Sequence, residues 1–220
     1  MDNNACRWLK WLFIVQIISL THVALIKVVN YGVWYQWLDL AVRAGVPFCM
    51  FKLRREHKFY AVAAVFLCIE FICAAFTTLI NSGAVFPLVR DLAGDNLMQF
   101  LWYVLVVKYV LLVICGLGAM LFEHMGHRNL MKDISQKLSK YWLWMMLGSL
   151  ALSLAITGFA ILASHASLVH TLNIVHYQQI YPFLDLPGIL LKIAYTVLLF
   201  LTVRALRCAD TPTDEAEVSE

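Results

Sequence analysis

Asp39 and Arg43 stand four residues apart in the stretch YQWLDLAVRAGVPF, residues 35–48. On a helix that spacing puts a carboxylate and a guanidinium within reach of each other. The surrounding stretch is apolar enough to cross a bilayer, where each charge costs about 2.5–3.5 kcal/mol on insertion scales. Ionisable residues kept in such places face a bundle interior or a watery cavity and pair with one another. His22, Lys27, Glu70, Lys108 and Lys192 are in the same position, and Gln36 adds a polar neighbour to Asp39. Helical periodicity of 3.6 residues groups them with other polar side chains. Gln16, Ser19, His22, Lys27 and Asn30 share one side of a first segment, and Gln36, Asp39 and Arg43 share one side of a second. Glu70, Cys73, Thr77 and Asn81 do so in a third, and Asp185, Gly188, Lys192 and Tyr195 in the last.

The chemistry these residues imply is recognition of charge. Arg43, Lys108 and Lys192 outweigh Asp39 and Glu70 by one positive charge, or by two if Lys27 turns inward, unless Asp185 reaches in. An excess cation in low dielectric loses its proton or is compensated by an anion. A pocket for a small anionic solute or a lipid head group follows. The competing expectation is structural: an Asp39–Arg43 pair and a Glu70–Lys108 pair that hold the helices in register.

Other chemistry is less well provided for. His22 is the only histidine well inside an apolar segment, so haem ligation between facing helices lacks a second ligand at matching depth. EHMGH, residues 123–127, reverses the first two letters of the HExxH zinc motif, which removes the zinc-protease geometry. His124 and His127 read as histidines at a membrane interface; a membrane enzyme or redox protein built on them or on Glu70 is the third-ranked expectation. His165, His170 and His176 occupy a segment without lysine or arginine, read as an interfacial helix over the bundle mouth that would gain charge as the outside turns acidic. Cys6, Cys49, Cys68, Cys73, Cys115 and Cys208 show no CxxC spacing, which argues against a disulfide framework or a structural zinc site. No nucleotide-binding or nucleophile motif is present, and no catalytic residue, metal ligand set or cofactor is assigned.

The elements that position these residues follow from composition. The chain has 220 residues, 62% hydrophobic and 14% charged, with a mean hydropathy of +0.75. A soluble domain is closer to half apolar and a quarter charged. A spanning helix needs about 20 residues, which leaves no room for a separate soluble catalytic domain. The expected fold is all-α, a polytopic membrane protein with six transmembrane helices at about 8–29, 33–51, 59–80, 97–122, 141–163 and 183–203, in one domain over 1–207. The acidic tail, 208–220, reads as disordered and cytoplasmic. Gly45 and Pro47 predict a kink or break in the second helix. Ser149, Ser153 and Thr157 predict a small-residue packing seam, as do Gly116 and Gly118. The seven tryptophans sit near the predicted span ends, as interfacial anchors would.

Orientation comes from the loops. Arg7 and Lys10, then Lys52, Arg54, Arg55 and Lys58, then Arg128, Lys132, Lys137 and Lys140, then Arg204 and Arg207 make up 12 of the 17 basic residues. Six spans put all of them on one side, so the positive-inside rule predicts both termini in the cytoplasm and integration in a bacterial inner membrane. The basic loops 52–58 and 128–140 are expected to meet the anionic lipids of the inner leaflet, the latter as a short amphipathic helix lying on the surface or as a solvated loop with helical character. The preferred reading is a non-enzymatic membrane protein whose polar, net-positive outer half binds or transports a small anion. The alternative is a non-transporting regulatory, immunity or assembly subunit with a membrane-protein partner or a second copy of itself. Nucleic acid is not an expected partner.

Overall fold

A computed structural model describes the backbone of residues 3–28, 34–81, 90–91, 97–168 and 174–210. Among these residues there are six helices and no strand: α1 (Asn3–Val28), α2 (Trp34–Leu53), α3 (Lys58–Asn81), α4 (Leu97–Lys132), α5 (Gln136–Leu168) and α6 (Ile174–Asp210). Four stretches are long and apolar enough to cross a membrane: Lys58–Phe76, Val110–Lys132, Gln136–Phe159 and Leu186–Arg207. Among the described residues α1 and α2 are not in that set.

The turns explain where helices stop. Between α2 and α3, the Glu56 N–H donates to the Leu53 carbonyl at 2.9 Å. His57 then caps α3: its Nδ1 accepts from the Phe59 N–H at 3.2 Å and its carbonyl from Tyr60 N at 3.1 Å. This satisfies two of the donors that a helix start leaves over. Between α4 and α5 only residues 133–135 are non-helical. Ser135 N donates back to the Met131 carbonyl at 2.9 Å, and Ser135 Oγ accepts from Leu138 N at 3.4 Å as the N-cap of α5. The Ser139 hydroxyl donates to the Arg128 carbonyl at 3.2 Å, tying the two sides of the turn together.

Three expectations change here. The basic stretch 128–140 does not form a surface helix of its own; α4 runs on to Lys132, and the Ser135 cap makes a tight turn instead. The break offered as an alternative to a kink at Gly45 and Pro47 does not occur: α2 is continuous with Pro47 inside it. Likewise α6 begins at Ile174 and continues through Pro182 and Pro187, nine residues before the expected start of the last span at 183. Among the described residues no separate interfacial helix precedes it. His176 is in α6 and His165 in α5, while His170 and the tail from 211 onward lie outside the described residues.

The chain divides into two compact units, Ile14–Glu123 in one, and Met1–Phe13 with His124–Glu220 in the other. In the first, α2 packs along α3. Val15 meets Gly45, where an added Cβ would lie 3.0 Å from Val15 Cγ2, and His22 meets Asp39. Rising numbers in α1 against falling numbers in α2 make the two antiparallel. α3 and α4 are antiparallel too: Phe59 and Phe66 both pack on Phe122 at 5.9 Å, the second pair stacked, and Phe66 covers Gly118.

In the second unit α5 packs on α6, and Phe13 of α1 touches Phe200 of α6 at 5.7 Å. Leu9, Leu12, Met131, Trp142, Leu199 and Leu206 are fully buried or nearly so and form its core. These contacts bring the start of α1, the α4–α5 turn and the end of α6 to one end of this unit. Arg7, Arg128, Lys132, Lys137, Lys140, Arg204 and Arg207 are exposed there.

Candidate functional site

In the unit Ile14–Glu123, Arg43 Nε donates to Asp39 Oδ2 at 2.7 Å, along one turn of α2. The other oxygen, Asp39 Oδ1, lies 3.8 Å from Nε2 of His22 on α1, within range of charge attraction for a charged imidazole. His22 is buried, Asp39 is 32% exposed and Arg43 is 51% exposed. The cluster thus grades from a buried imidazole through a carboxylate to a guanidinium at the surface. A guanidinium has five N–H donors in a planar fork. Asp39 takes Nε, and the Nη1 and Nη2 edge remains for a further acceptor. Such a fork matches two oxygens of a carboxylate or phosphate.

The other expected residues are distributed as follows. Gln36 is on α2 and Lys27 on α1, with side chains outside the described set. Glu70 on α3 is half-buried, and both it and Cys73 are near enough to Cys115 of α4 to act electrostatically on that thiol. Lys108 is half-buried seven residues before Cys115 on α4, a rise of about 10 Å. Lys192 belongs to the second unit. It shares the side of α6 that carries buried Thr196, Leu199 and Val203, yet is itself exposed. The structure brings together His22, Asp39 and Arg43.

A second polar cluster, in the other unit, was not anticipated. His124 and His127 of α4 pack with Trp142 of α5 and Tyr195 of α6, all buried. The His127 ring lies 4.4 Å from Trp142, tilted by 31°, and its Nε2 is 3.4 Å from the Tyr195 hydroxyl. His124 meets Trp142 edge-on at 5.6 Å and Tyr195 at 5.7 Å. The Trp142 Nε1–H donates to Thr202 Oγ1 at 2.9 Å, and that hydroxyl donates to the Leu198 carbonyl at 2.9 Å. Trp142 is thus a core residue and not an interfacial anchor; Trp11, Trp37 and Trp144 are exposed as anchors would be.

The sequence signal for this cluster was the i,i+3 spacing of His124 and His127 with the i,i+7 spacing of Tyr195 and Thr202, each placing two polar side chains on one helix face. Glu123, between Phe122 and His124, is buried and acts electrostatically on fully buried Tyr60 of α3. Among the described residues no group of three or more His, Cys, Asp or Glu side chains is arranged to hold a metal ion. Close packing of these rings ties α4, α5 and α6 together.

No family model matches the chain, and no curated protein sequence or solved structure matches it.

Proposed function

We propose that this chain is a six-span integral membrane protein of a bacterial inner membrane, with both termini cytoplasmic, whose α1–α2 hairpin binds a small anionic group from a solute to be transported or from a lipid head group. The observation that carries this reading is Arg43. It is half-exposed and oriented by a 2.7 Å bond from Nε to Asp39, and it retains the fork edge that recognises paired oxygens. Support for the orientation comes from the second unit, where the basic residues of four helix ends gather at one end. The basic segments 52–58 and 128–140 then meet the anionic inner leaflet.

A second reading has its own observation. Because Asp39 reaches across to His22 on α1, the cluster also ties two helices, as a register device in a non-transporting subunit with a membrane partner or a second copy would.

Single cysteines at Gln36, Asp39 and Lys108, and native Cys73 alone, in a background without other cysteines, test the first reading with a membrane-impermeant thiol reagent added outside. Water access to the cluster gives labelling at 36 and 39. Complete protection at all four positions removes the pocket and leaves the register role.

A further inference from the structure

The outward face of α6 is a single stripe. Leu186, Leu190, Ile193, Val197, Phe200 and Leu201 are exposed, and Arg204 and Arg207 continue the same line, also exposed. Their steps of three and four residues keep them on one side. Tyr195, Leu199, Thr202 and Leu206, on the opposite side, are buried. Lys192 is about 120° round the helix from the stripe by the 3.6-residue repeat, so the stripe carries no charge before Arg204. From Leu190 to Phe200 the stripe rises about 15 Å, the hydrocarbon depth of one leaflet. Arg204 and Arg207 come about 6 and 10 Å beyond Phe200, at the level of lipid phosphates. Phe13 closes one flank at Phe200, with ring centroids 5.7 Å apart.

We infer that this stripe is a docking site for one anionic phospholipid, with an acyl chain along Leu190–Ile193–Val197–Phe200 and the phosphate between Arg204 and Arg207. The occupant follows from charge and depth together. α6 includes a stretch long and apolar enough to cross a membrane, Leu186–Arg207; in a bilayer its exposed apolar face would meet acyl chains and its two cations would come to the level of the phosphodiester. A surface cation favours an anionic over a zwitterionic lipid by about fivefold. The site is separate from Arg43 and does not depend on the function proposed for it.

The test uses the full chain in detergent, titrated with phosphatidylglycerol and phosphatidylcholine of identical acyl chains, with retained lipids counted by native mass spectrometry. The parent is expected to hold phosphatidylglycerol preferentially, R204Q/R207Q to hold one molecule fewer, and R204K/R207K to recover it. R43Q is expected to leave this molecule in place, which separates the two sites. An unchanged count in R204Q/R207Q, or equal retention of both lipids by the parent, overturns the assignment. So does displacement by free glycerol phosphate at the lipid's own concentration, because the acyl stripe would then contribute nothing.

Discussion

Thr202→Val is the sharpest probe of how the second unit is held together. The substitution keeps the side-chain shape and removes one acceptor, which receives the Trp142 indole N–H at 2.9 Å inside a fully buried environment. A buried donor that loses its acceptor costs about 1–3 kcal/mol. Couplings measured between membrane helices are smaller, with a mean of about 0.6 and a maximum of about 1.7 kcal/mol. Loss of the Thr202 hydroxyl's own bond to the Leu198 carbonyl adds little, since that carbonyl remains in the helix ladder. A loss of about 1–2 kcal/mol is therefore expected for Thr202→Val. Trp142→Phe removes the donor along with part of the ring, at about 1–3 kcal/mol for the volume lost. With the donor gone, Thr202→Val in the Trp142→Phe background should cost close to nothing. The double-mutant cycle, read by circular dichroism during reversible unfolding in mixed micelles, should return a coupling of about 1 kcal/mol. If the single losses sum to the double within about 0.3 kcal/mol, the bond does not couple α5 to α6 and the reasoning fails.

Two other tests bear on packing and on the ion-paired cluster. Gly118→Ala should destabilise by about 1–3 kcal/mol, because its Cβ would stand 2.9 Å from a Phe66 ring pinned by Phe122; Gly116→Ala and Gly148→Ala, with nothing within 4 Å, should be neutral or stabilising by up to about 1 kcal/mol, and equal melting shifts at all three would refute the contact. Asp39→Asn should lower stability by no more than about 0.5 kcal/mol, because the Asp39–Arg43 pair is half in solvent, while weakening anion binding about tenfold by freeing the Arg43 side chain to move; a stability loss above about 2 kcal/mol would instead assign the cluster to helix register.

The helices were legible because apolar runs of that length have few other uses, and the Asp39–Arg43 pair because i,i+4 geometry is local. What escaped was set by tertiary contact. Gly116 and Gly118 look alike in the sequence, but only Gly118 meets a neighbour, since the two point in different directions round α4. Trp142 and Trp144 are equally close to a turn; two residues is about 200° of helix, so one is core and the other 69% exposed. The basic stretch 128–140 had the periodicity of a surface helix, but Ser135 as a cap decided the matter within three residues.

α4 and α6, at 36 and 37 residues, have a consequence for the membrane that holds them. Helices of that length extend about 54–56 Å, and a hydrocarbon layer of about 30 Å crossed at a tilt of 40° accommodates only about 39 Å. About ten residues of each must therefore be helical beyond the hydrocarbon. Thinning or thickening the bilayer by a few ångströms would shift which residues are immersed without ending either helix, so neither matches a single membrane thickness.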